Sequence, residues 1–262
     1  MIFKYSEAEI KAKKVLEECG LNDATEVPLK RIILGRKAFY EEISLEGKEG
    51  EIVSVNNKSV IVINSNIKFE TKKRFAAAHE LGHYEMHRHL KPIFSDTEED
   101  LMNWYKAGPH ETEANEFAAE FLMPSQLFHK ECEHKKFEPK VIEHLANRFQ
   151  VSKTAAILQF VKRGNHPVFI IYCKDNKMKW WKKSEGFYHY CLFEYGAPPP
   201  TGSVAYEVFS NKKAYYGDEA KQDIWKSDWF QMKSSDEPDS RFFEYCLHVK
   251  SYNYTISVIW EK

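Results

Sequence analysis

The 262-residue sequence predicts a mixed α+β fold. Three observations carry that reading. A proline-free run over 71–89 is rich in helix-forming residues and holds the pattern H-E-x-x-H at His79-Glu80-Leu81-Gly82-His83. A second helix-forming run, 111–123, follows it and is closed by Pro124. Near residue 165 the character changes, and short helical segments give way to β-branched and aromatic runs bounded by turn residues.

Taken in order, Ser6 and Glu9 have the spacing of a capping box and start a helix over about 6–19, followed by a second over 28–37. Short strands follow at 39–45, 51–55 and 59–64, the last an apolar β-branched run preceded by the turn residues Asn56-Asn57. In the 71–89 helix, Phe75, Ala78, His79, Gly82 and His83 recur at three- and four-residue steps, which puts both histidines on the inward face. Gly82 costs roughly 1 kcal/mol against alanine in a helix interior, so its position implies a close approach by a neighbour. The 111–123 helix has an apolar face of Ala114, Phe117, Ala118, Phe121 and Leu122. Glu111 falls on that face, whereas Glu113, Glu116 and Glu120 line a different, wetter side. A helical pair at 138–149 and 153–163 comes next. Beyond Gly164-Asn165-His166-Pro167 the clearest strands are 168–173, 178–182, 242–249 and 254–260.

Two histidines four apart on one helix face can hold a single zinc ion, and the glutamate beside the first can serve as general base toward a water. A catalytic zinc keeps three protein ligands, and three residues compete for the third place. Glu111 is favoured because a carboxylate on an apolar face needs a partner or a metal. Glu113 lies on the wetter side. His89 stands where a metzincin would place its third histidine, but Met86 occupies the position of that pattern's glycine, so the helix is expected to run on and carry His89 away. His87 and His89 then read as helix-end residues that suit the dipole. Asn115, one turn beyond Glu111, is placed to orient a ligating histidine. Tyr105 and His110 are candidates by position for steadying an oxyanion, against the plainer readings of a loop aromatic and a helix N-terminal histidine.

The combined pattern RFAAAHELGHYEMH followed by ETEANEFAAEFLMP resembles the ImmA/IrrE family of bacterial and phage zinc metallopeptidases, over about residues 50–125. The resemblance implies a zincin-like metallopeptidase domain at 1–135 and one zinc per chain, held by His79, His83 and the helix glutamate, with Glu80 catalytic. It also implies cleavage of a partner repressor that carries a helix-turn-helix, as in anti-repressors of mobile elements and stress responses. Residues 136–165 form a helix-turn-helix-like pair, and 166–262 a small aromatic-rich α+β domain, with a sensory or regulatory role in prospect.

Net charge is −1, with 29% charged and 43% hydrophobic residues, which suits a chain with a real core and no global attraction to nucleic acid or anionic membranes. No apolar stretch is long enough to span a bilayer, and the N-terminus lacks a signal-peptide core. The five cysteines, Cys19, Cys132, Cys173, Cys191 and Cys246, are scattered without a C-x-x-C pair, which points to reduced thiols in a cytoplasm. Two alternatives to proteolysis stand beside it. The segment LANRFQVSKTAAILQF, with Arg148, Lys153, Lys162 and Arg163, could bind DNA, or Leu145, Phe149, Val151, Ala155, Ile157 and Leu158 simply pack it down. The aromatics Trp180, Trp181, Phe187, Tyr188, Tyr190, Phe193 and Tyr195 could line a small-molecule pocket, or form strand core.

Overall fold

A computed structural model describes residues 3–56, 58–96, 108–233 and 238–262. It is a mixed α+β structure with two sheets, and the chain packs as two compact units. One comprises Met1–Lys130 with Ala146–Ser152, the other Glu131–Leu145 with Lys153–Lys262, so the helical pair contributes residues to both.

The first unit opens with α1 (Glu7–Glu18), whose Ser6–Glu9 capping box is formed, and α2 (Leu29–Gly35). Its four-stranded sheet has the order β1-β3-β2-β4, with β1 (Phe39–Ile43), β2 (Gly50–Val55), β3 (Lys58–Asn64) and β4 (Ile93–Asp96). β1 runs parallel to β3, and β2 antiparallel to both β3 and β4. The helix α3 (Glu70–Met86) lies between β3 and β4 in sequence and packs against α4 (Pro109–Leu122). Pro109 starts α4 at the position where a missing N–H costs nothing. The close approach expected at Gly82 is made by Phe117: a Cβ there would lie 3.1–3.2 Å from the Phe117 ring and its Cβ. Phe117 and Phe121, fully buried, stack on each other at 5.6 Å in the adjoining core.

Two expectations for these helices need correction. The first helix does not run on to His89. It stops at Met86, and His87 is its C-cap, with Pro92 a few residues on to discourage continuation. Glu120 is also not on a wet face. It is 1% exposed and accepts hydrogen bonds from the backbone N–H (3.0 Å) and hydroxyl (2.5 Å) of Ser125, the first residue of α5 (Ser125–Cys132). A carboxylate at that point meets the unsatisfied donors of the next helix, which offsets the cost of burial.

The second unit holds a five-stranded antiparallel sheet of order β6-β5-β9-β8-β7. The strands are β5 (Phe169–Lys174), β6 (Lys177–Lys183), β7 (Lys221–Trp225), β8 (Arg241–Val249) and β9 (Tyr254–Glu261). The helical pair forms as α6 (Pro139–Phe149) and α7 (Lys153–Arg163). Short helices α8 (Val204–Ser210) and α9 (Lys226–Trp229) cover part of a core built on Phe169, Ile171, Trp229, Phe230, Phe242 and Ile259. Of the aromatics singled out from the sequence, Trp180 and Phe187 are buried, whereas Tyr188, Tyr190 and Tyr195 are exposed. A cleft of about 380 Å³ in this unit is lined instead by Val208, Lys212, Ala214, Tyr216, His248 and Lys250.

Glu244, on β8, is fully buried. It accepts from the backbone N–H groups of Val204 (3.0 Å) and Ala205 (3.1 Å), from Trp229 Nε1 (3.0 Å) and from Ser257 Oγ (2.5 Å). Burial still pushes its carboxyl above the ordinary value against these four donors. In the helical pair, Arg148 is tied to Asp23 at 2.8 Å, Lys153 to Glu143 at 2.5 Å, and Arg163 is buried. Among the described residues no helix is long and apolar enough to cross a membrane.

Candidate metal centre

The 3.6-residue period of α3 places His79 and His83 one turn apart on its buried face, and α4 brings Glu111 across from them. Three atoms converge. His79 Nε2 and His83 Nε2 are 3.0 Å apart, and Glu111 Oε2 lies 3.2 Å from the first and 3.1 Å from the second. Both histidines are buried, and Glu111 is half-buried. Phe94 of β4 stacks on the His83 ring at 4.5 Å and walls off that side.

The chemistry of this donor set fits a metal ion. Ligand atoms about 2.0–2.1 Å from a tetrahedral zinc stand about 3.3 Å from one another, close to the spacings observed. Asn115 supplies a second fit. Its Oδ1 accepts from His79 Nδ1 at 2.9 Å, which keeps the ring proton on Nδ1 and leaves the Nε2 lone pair facing the centre.

Glu80 is 1% exposed and lies over the first residue of β2. A Cβ on Gly50 would sit 2.8 Å from Glu80 Oε1 and 3.1 Å from its Cγ, so only glycine leaves that carboxylate its present place. Gly50 escaped the sequence reading. Its signal is a glycine at the head of a strand, where close approach is one of few reasons to tolerate it.

The rivals for third ligand go elsewhere. His89 is exposed and outside the cluster. Glu113 takes part in a second group: its Oε2 lies 2.8 Å from His87 Nε2 and 3.5 Å from His110 Nδ1. His87 is therefore more than a helix-end residue suiting a dipole. It is buried, and its Nδ1 lies 3.0 Å from His83 Nδ1. Burial, with His83 and His110 nearby, holds the His87 imidazole below its usual range despite the Glu113 hydrogen bond. Burial tends to raise Glu113, but the hydrogen bonds from His87 and His110 bring it below the usual carboxylate value. Spacing could have revealed His87, which continues the face of His79 and His83 by one more four-residue step. His110, at the start of α4, is exposed, and Tyr105 lies outside the described residues.

Two helices thus present a His-His-Glu cluster beside a four-stranded sheet, which makes a candidate metal centre in an α+β domain. Residues 34–160 match the family model of the IrrE N-terminal-like domain, a peptidase family, and the match supports the ImmA/IrrE family for that segment. A solved structure described as a Mycobacterium tuberculosis transcriptional regulator is similar over 98% of this chain and 77% of its own, with a TM-score of 0.64 and 14% sequence identity. At that identity the likeness is one of fold. Among curated proteins no sequence matches.

Proposed function

We propose that this protein is a zinc-dependent endopeptidase with a zincin-like catalytic domain at 1–135, which cleaves a partner protein, a helix-turn-helix transcriptional repressor, and so relieves repression. Residues 166–262 are the regulatory part in this reading. The observation that carries it is the convergence of His79 Nε2, His83 Nε2 and Glu111 Oε2 within 3.0–3.2 Å of one another. Those residues hold one zinc per chain, and Asn115 orients His79 through its ring proton. When bound, zinc supplies Lewis acidity toward the scissile carbonyl and acidifies a water. Glu80 takes a proton from the attacking water on a carboxylate oxygen and passes it to the leaving nitrogen. Burial of Glu80 between α3 and the Gly50 backbone restricts where that carboxylate can move, which keeps it aimed.

The match to a peptidase family supports the reaction, and the repressor is supported by the family resemblance together with a neighbour of similar fold described as a transcriptional regulator. DNA binding through the helical pair has less behind it, since Arg148 and Lys153 are engaged with Asp23 and Glu143 and Arg163 is buried. The test is co-expression with a helix-turn-helix repressor, the first choice being any such protein found to be encoded next to this chain. The wild type should cleave it, and Glu80→Gln should keep one zinc while cleavage falls by about 10²–10⁴. Cleavage undiminished in Glu80→Gln contradicts the assignment.

A further inference from the structure

We propose that His87 and Glu113 are positioning residues for His83, acting through its far ring nitrogen, and that the His87–His110–Glu113 group does not hold a second metal ion. The inference rests on the metal reading above. If His83 offers its Nε2 lone pair to a metal, its neutral ring must carry the proton on Nδ1. That atom faces His87 Nδ1 at 3.0 Å. Two ring nitrogens at this distance need one N–H and one lone pair between them, so His83 Nδ1 donates and His87 Nδ1 accepts. A neutral His87 then carries its own proton on Nε2, which donates to Glu113 Oε2 at 2.8 Å. One requirement at the metal ligand thus orders three side chains, and each contact is made by the tautomer it demands.

His83 and His79 are served by the same device from two directions. Asn115 of α4 accepts from His79 directly, and Glu113 of the same helix accepts from His83 through the buried His87. The carboxylate at the end of the chain makes His87 a better acceptor and His83 a more basic ligand. The alternative is a second metal at His87, His110 and Glu113, whose ligand atoms lie within 4.8 Å of one another. A metal on His87 Nε2 would send the His87 proton to Nδ1. Two N–H groups would then face each other at the 3.0 Å separation from His83. Occupation of the first site therefore opposes a metal at the second.

The experiment is zinc affinity of the intact protein by competition with a chromogenic chelator, for wild type, His87→Phe, Glu113→Ala and Glu113→Gln, with Asn115→Ala as yardstick. Wild type should bind one zinc. His87→Phe and Asn115→Ala should weaken it by about 10–100-fold, Glu113→Ala by less, and Glu113→Gln, which keeps an acceptor without the charge, should fall between wild type and Glu113→Ala. Glu113 has 47% of its side chain exposed, so its substitutions leave the core intact. Loading with cobalt(II) gives a readout that packing alone would not move: the shifted N–H proton of His83 should exchange slowly with solvent in wild type and rapidly in His87→Phe, with that of His79 unchanged. Two zinc ions in wild type, with the weaker one lost in Glu113→Ala, would overturn the proposal. So would unchanged affinity in both His87→Phe and Glu113→Ala. Wild type that binds no zinc defeats the metal reading and this one together, whereas one zinc with unchanged variants defeats this one alone.

Discussion

Glu244 in the second unit and the His79–His83–Glu111 cluster in the first both take polar atoms out of bulk water, and they are composed in opposite ways. Around Glu244, four donors from α8, α9 and β9 converge on one acceptor group, so hydrogen bonding balances within the protein. Around Glu111, the converging atoms bring lone pairs: two imidazole nitrogens and a carboxylate oxygen at 3.0–3.2 Å, with Asn115 drawing the His79 proton to the far side of the ring. Acceptors gathered in this way favour a cation at their centre. The first arrangement fixes the framework of a domain, and the second prepares a site.

The largest effect is expected at Glu244. Glu244→Ala removes the acceptor from Val204, Ala205, Trp229 and Ser257 at once and should destabilise the second unit by about 3–5 kcal/mol, while zinc content stays the same. Denaturant melts followed by tryptophan fluorescence, alongside metal analysis, check both halves. An unchanged melt, or loss of zinc, would show that the two clusters do not divide the work in this way. A smaller effect is expected at Gly50, where the framework touches the site. Gly50→Ala drives a methyl group into Glu80 Oε1 and should cost about 1–3 kcal/mol and reduce cleavage tenfold or more, with zinc retained. Wild-type cleavage by Gly50→Ala would mean that the placement of Glu80 against β2 is not needed.

What the sequence made legible was local. The capping box at Ser6 and Glu9, the face shared by His79 and His83, the close approach at Gly82 and the position of Glu111 on the apolar side of its helix all follow from helical periodicity within a few residues. What escaped depends on contacts between segments distant in the chain. Gly50 matters only because β2 passes under Glu80, and His87, although its four-residue step from His83 is local, gains its role only with Glu113 opposite on α4. The early stop of α3 at Met86 belongs with these, since helix propensity alone favours continuation and the turn buries the His87 side chain instead. Glu120 departs from the helical pattern for a related reason: the side of α4 that periodicity assigns to solvent is covered where Ser125 begins the next helix. In the second unit, the buried partners of Glu244 come from three separate stretches of chain, at 204–205, 229 and 257.

In the proposed reading Glu111, and neither Glu113 nor His89, completes the metal site with His79 and His83. That assignment is tested most directly by the zinc content of purified wild type, Glu111→Ala, Glu113→Ala and His89→Ala, measured by atomic emission after dialysis against metal-free buffer. Wild type and His89→Ala should carry one zinc per chain, Glu113→Ala should still take up one when zinc is supplied in excess, and Glu111→Ala should carry essentially none, because an open coordination site can replace the lost carboxylate only with water. One zinc per chain in Glu111→Ala together with none in His89→Ala would instead make the site a three-histidine one.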